Sequence, residues 1–116
     1  MGKNLDIIML FDFYRGLLTD RQADAIDLYY NEDLSLAEIS EILSVTRQGV
    51  RDLIKRAEGI MLDAEQKLGT VERYCKEREQ LKQAKDIADE LLKALPQGEL
   101  HERAQQLKAL LCGIEE

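Results

Sequence analysis

Val50, Ile54, Ala57, Met61, Ala64 and Leu68 recur at steps of 4, 3, 4, 3 and 4, an apolar stripe along about five turns of one helix. A helix this long gains most of its stability by laying that stripe against other elements. The rest of the chain must therefore supply apolar faces to meet it.

Helix signals are what the rest of the chain supplies. Every long segment follows the helical period, and none alternates as a strand would. A first helix is expected from about Asn4 to Arg15, burying Ile7, Leu10, Phe11 and Tyr14 and stopped by Gly16 in a left-handed conformation. Ile8 and Met9 lie off that face, as they would in a helix covered on two sides. Thr19 and Gln22 form a capping box that starts a second helix, which buries Ala23, Ile26, Tyr29 and Tyr30 and ends in Asn31-Glu32-Asp33. Ser35 and Glu38 repeat the box before a short third helix with Leu36, Ile39, Ser40 and Leu43 inward. Ser44-Val45 makes a tight turn, and Thr46 caps the long fourth helix. Gly59 within that helix costs about 1 kcal/mol relative to Ala, which suits a bend or a close helix contact.

Gly69-Thr70, a glycine stop followed by a threonine start, divides a first domain, 1–69, from a second, 70–116. In the second, Leu81, Ala84, Ala88, Leu91 and Leu95 precede the break Pro96-Gln97-Gly98. Leu100, Ala104, Leu107, Leu111 and Ile114 follow it. This is the pattern of an αα-hairpin, packed on the first domain or on a dimer partner. Small helical modules with alanine-lightened seams often complete their cores by pairing, so a homodimer is expected. The fold class is all-α.

The stretch LSLAEISEILSVTRQGVRDLIKR, residues 34–56, carries what a helix-turn-helix needs. Ile39 and Leu43 give the first helix its core contacts, and Ser40 is the small residue at the crossing. Val45 plugs the turn, while Val50 and Leu53 seat the second helix. The turn commonly holds Gly; here Ser44 must take the left-handed conformation itself. Thr46, Arg47, Gln48, Arg51 and Lys55 project toward the side that would meet a major groove. Arg can donate twice to guanine, and Gln can pair with adenine. Arg47, Gln48 and Arg51 are thus candidates for base edges, and Thr46, Lys55 and Arg56 for the backbone.

The run LTDRQADAIDLYYNEDLSLAEISEILSVTRQGVRDLIKRAEGIM resembles sigma-factor region four, with L-T-x-x-Q, then E-I-[AS]-x-x-L-x-V-[ST]-R, then a Val and an R-A pair. With LDIIMLFDFYRGLLTDRQ before it, the chain more closely resembles the YlxM family of small Gram-positive bacterial proteins, over at least residues 5–74. That resemblance implies DNA binding through a sigma-like helix-turn-helix. YlxM genes sit beside those of the signal recognition particle proteins Ffh and FtsY, so it also implies a regulatory role in that pathway.

Charge complicates the picture. The chain carries a net charge of −7, against phosphate affinity that comes mainly from Lys and Arg. Locally, Arg47, Arg51, Lys55 and Arg56 against Asp52 leave +3, whereas Arg21 against seven carboxylates between Leu17 and Leu43 leaves −6. Neutralising about three phosphates gives an affinity that falls roughly 40-fold from 50 to 200 mM salt. Useful occupancy then needs a dimer or partner. The alternative is an adaptor that docks on a protein or RNA component of the signal recognition particle without binding DNA.

Other chemistries find little support. His101 is the only histidine and is expected to be solvated at a helix start, and Asp20, Asp24 and Asp27 form a solvated acidic face. Cys75 and Cys112 lack metal or redox spacing and suit a reducing compartment. Phosphate-loop and nucleophile-elbow motifs are missing, so no enzyme activity and no cofactor are expected. The longest apolar run, Ile7 to Phe11, is too short to cross a membrane, and no leader pattern is visible. A cytoplasmic location is expected.

Overall fold

The structure, a computed structural model, describes residues 5–114. Among these the chain is all-α, with six helices and no strand. They are α1 (Leu5–Tyr14), α2 (Asp20–Ile26), α3 (Leu36–Leu43), α4 (Arg47–Leu68), α5 (Thr70–Ala94) and α6 (Glu99–Ile114). The chain divides into two compact units, Met1–Val71 and Glu72–Glu116.

In the first unit α1, α2 and α3 all pack on α4. The core is the expected stripe and its partners: Val50, Ala57 and Met61 on α4, Ile26 on α2 and Ile39 on α3 are fully enclosed. Ile7, Leu10, Phe11 and Tyr14 close it from α1, while Ile8 and Met9 are half-buried. Ala25 is fully buried too, so α2 meets its neighbours over a wider arc than its stripe suggests. Burial on α4 fades at half-buried Ala64, and Leu68, the last residue of the stripe, is exposed.

The capping signals translate directly. Thr19 and Ser35 each close a full capping box, with Gln22 and Glu38 respectively. Gly16 departs from expectation: it lies in one turn of 3-10 helix, Arg15–Leu17, without a positive φ. The tighter turn ends the helix by bonding the Leu18 N–H to the Arg15 carbonyl, and the left-handed stop is not needed. The second helix also ends differently, in a π turn over Asp27–Asn31 that carries half-buried Tyr29 and Tyr30. Gly59 lies within the unbroken helix α4 and admits no close neighbour: a Cβ there would meet nothing within 4 Å. Gly59→Ala should therefore stabilise the chain by about 0.5–1 kcal/mol, read as a rise of a few degrees in the thermal midpoint.

The second unit is the hairpin of α5 and α6. Its seam keeps the expected Leu81, Ala84, Ala88, Leu95, Ala104 and Leu111, buried or half-buried, and departs from expectation mainly on α6. Ala88 and Ala104 are its buried residues, and Lys108 on α6 reaches Asp89 on α5 at 2.5 Å. That partner holds the Asp89 carboxyl below the usual carboxylate range. Leu91, Leu100, Leu107 and Ile114, expected in the seam, are exposed. His101 is corrected as well. It shares the side of α6 that carries Ala104 and Lys108, is half-buried, and its Nδ1 has no hydrogen-bond partner. On the solvent side of α5, Glu72 and Lys76, one turn apart, pair at 3.3 Å.

Candidate nucleic-acid interface

Three local devices aim the start of α4. Ser44 takes φ 58 and ψ 43, the left-handed conformation the turn requires, and its N–H bonds the Ser40 carbonyl. The Val45 N–H bonds the same carbonyl at 3.1 Å, with its side chain packed against the core. Thr46 then caps α4, its Oγ1 accepting from the Gly49 N–H at 2.9 Å. Sequence reasoning passed over Gly49. A Cβ there would lie 3.2 Å from Thr46 Oγ1 and 3.5 Å from Val45 Cβ, so a larger residue would have to push the capping hydroxyl aside by a few tenths of an ångström. The Thr46 oxygen is thus engaged within the chain, and only its hydroxyl proton remains for an outside acceptor.

The first turn of α4 contains no acidic residue, whereas α2 and α3 open on Asp20 and Glu38. The positive end of the α4 dipole is left for an external anion. Arg47, Gln48, Arg51 and Lys55 are all exposed and fall within about 100° of arc at 3.6 residues per turn. Arg56 is set apart, since nine residues place it about half a turn from Arg47. Among the described residues, no hydrogen bond or ion pair engages Arg47, Arg51, Lys55 or Arg56. Lys67 and Lys76, by contrast, each hold a carboxylate one turn back along their own helix.

Gln48 is not idle. Its Nε2 donates to Asp52 Oδ1 at 3.0 Å, so reading an adenine would require it to leave that carboxylate. Asp52→Asn keeps an acceptor for Gln48 and removes the one negative charge between the cations. It should tighten duplex binding on the order of three- to tenfold at low salt, with the gain shrinking as salt rises, in a fluorescence anisotropy titration.

Two long-range hydrogen bonds brace this helix, and no local sequence signal announces either. Tyr30 donates its hydroxyl to Glu58 from 28 residues away. Burial first, then that bond, lifts the Tyr30 phenol above its ordinary 10.0. Its contribution to stability is therefore present below about pH 10 and lost as pH rises beyond it. Tyr14 likewise donates to Glu65 Oε1 at 2.6 Å, and the same oxygen accepts the Val71 N–H at 3.0 Å. Beside α4 lies an open cleft of about 250 Å³, bordered by the Tyr29–Tyr30 pair, Leu36, Ile54 and the side chains of Arg51, Lys55 and Glu58. The described residues hold no group of three or more potential metal ligands, and none of their helices is long and apolar enough to cross a membrane.

A short helix and a long one joined by a left-handed turn, the second bearing cations without a partner among the described residues, define a helix-turn-helix protein. More particularly, the chain belongs to the UPF0122 family, described as "Putative helix-turn-helix protein, YlxM / p13 like", which matches residues 1–106. A UPF0122 protein of Desulforamulus reducens is 42% identical over 108 residues, covering 93% of this chain and 89% of that protein. One from Acetivibrio thermocellus is 38% identical over 116 residues, all of this chain and 93% of that one. A third, from Thermoanaerobacter sp., is 50% identical over 70 residues, 60% of each. The YlxM resemblance read from the sequence is thereby confirmed.

Proposed function

We propose that this chain is a non-enzymatic DNA-binding regulatory protein of the signal recognition particle pathway that acts as a homodimer in the cytoplasm. The observation that carries the DNA reading is the set of unpaired cations on the exposed side of α4, at the acid-free end of the helix. Arg47, Gln48 and Arg51 would meet base edges; Thr46 and Lys55 would meet phosphates, with Arg56 reaching the opposite wall. The pathway rests on the family resemblance alone. The test is anisotropy with duplex from upstream of the chain's own operon, beside random duplex, at 50 and 200 mM salt. Site-selective binding that falls roughly 40-fold across that range is the expected result. No binding, or weak sequence-blind binding gone by 200 mM, would overturn it. The second reading, an adaptor docked on a signal recognition particle component, would then lead. It is favoured by the exposed acids Asp20, Asp24, Glu32, Asp33, Glu38 and Glu41 beside α4, which repel phosphate.

The homodimer is supported by the hairpin. Ile87 and Leu91 on α5, and Leu100, Leu107, Leu110 and Ile114 on α6, are 43–69% exposed. Helical geometry places them on one side of the hairpin. Together they offer roughly 600 Å² of apolar surface per chain, so two copies reach the lower bound of a specific interface. Face to face, two hairpins complete a four-helix bundle. Leu107→Lys with Leu110→Lys should convert a dimer into a monomer by light scattering after gel filtration, with helical circular dichroism kept. A parent chain that is monomeric at micromolar concentration would sink the dimer.

A further inference from the structure

We propose that the cleft beside α4 is a binding site for a guanine nucleotide, which competes there with DNA. Its two ends carry opposite chemistry. Arg51 and Lys55 form a cationic end with no carboxylate partner among the described residues. Glu58 lies three residues beyond Lys55, a spacing at which the two could pair, yet its Oε2 is held instead by the Tyr30 hydroxyl. That bond holds the Glu58 carboxylate, a hydrogen-bond acceptor, at the far end. From Arg51 to Glu58 is seven residues, about 10 Å along the helix, a span suited to a purine with its phosphate.

Between the two ends the cleft is lined by aromatic and apolar side chains. Ile54 is buried beneath it, Leu36 borders it, and the Tyr29 and Tyr30 rings meet edge to face at 5.0 Å. Aromatic and apolar side chains of this kind receive an unstacked base. A carboxylate at the base edge selects guanine, whose N1–H and N2–H are donors. Adenine places an acceptor, N1, in the same position. The phosphate would then sit on Arg51 and Lys55, the cations that the DNA reading assigns to base and backbone. The competition rests on that reading, whereas nucleotide binding by itself does not.

The test is calorimetric titration of the full chain with GMP, AMP and inorganic pyrophosphate, without DNA. GMP should bind at least tenfold more tightly than AMP, and pyrophosphate more weakly than either. Glu58→Gln should bring GMP and AMP within about twofold, while Lys55→Ala should weaken both by similar factors. Circular dichroism confirms that each variant is folded. Arg47→Ala lies outside the cleft and should leave GMP affinity unchanged while weakening duplex binding, so the two readings can fail separately. Equal binding of GMP and AMP, no saturable binding, or a preference untouched by Glu58→Gln would overturn the site. GMP binding without displacement of bound duplex would overturn the competition.

Discussion

A chain carrying Arg47→Ala and Arg51→Ala together is expected to lose duplex affinity by about 100-fold or more at 50 mM salt, with no change in its helical circular dichroism. Each lost guanidinium removes a contact of about 1–3 kcal/mol if it reads a base edge, and the two sites lie one turn apart without a shared partner. Both side chains are exposed and have no hydrogen-bond or ion-pair partner among the described residues, so stability has no reason to move. The salt slope should also flatten by about two, one per cation. Binding of unchanged affinity and slope by the folded double mutant would show that α4 is not the reading helix. A mutant that unfolds would show that these side chains hold the domain together in a way their exposure does not reveal.

The second large effect is on folding. Ile39→Ala removes a fully buried side chain from α3, the helix that braces the turn against α4. A truncation of this kind costs about 2–5 kcal/mol, through lost transfer energy and the cavity left behind. A unit of this size is stable by only about 4–10 kcal/mol in total. The urea midpoint should therefore fall by about a fifth or more, and DNA binding should weaken in parallel as the unfolded fraction grows. A loss below about 1 kcal/mol would mean that α3 repacks freely, which a turn held by Ser44 and Gly49 leaves little room to do.

What was legible in the sequence follows from the range of the forces involved. Caps and turns are written within four residues, so Thr19, Ser35, Thr46 and the left-handed Ser44 stand where their spacing placed them. The α4 stripe was legible because it is long and meets several helices at once. The hairpin seam was legible in part. Ala88 and Ala104 lie where the stripes put them, as do half-buried Leu81, Ala84, Leu95 and Leu111. With leucines on both flanks of α6, periodicity alone did not show that the side carrying His101 and Lys108, which pairs with Asp89, turns inward while Leu100, Leu107 and Ile114 stay exposed. At the candidate interface, residue types and exposure were readable, but the engagement of Gln48 by Asp52 and the offset of Arg56 depend on exact helical position. The Tyr30–Glu58 and Tyr14–Glu65 bonds join residues too distant in the chain for any motif to link them.

The Glu65 oxygen shared by Tyr14 and Val71 bears on how such a protein could be taken apart and recombined. It ties the end of α1, the last turns of α4 and the first turn of α5 to one atom. A head cut at Gly69, where the glycine invites a cut, would strip that oxygen of one donor and leave only the Tyr14 hydroxyl on it. A head carried through Val71 keeps the knot whole. Grafts that fuse this first unit to a foreign tail should therefore join after Val71, and the first turn of α5 travels with it as its clasp.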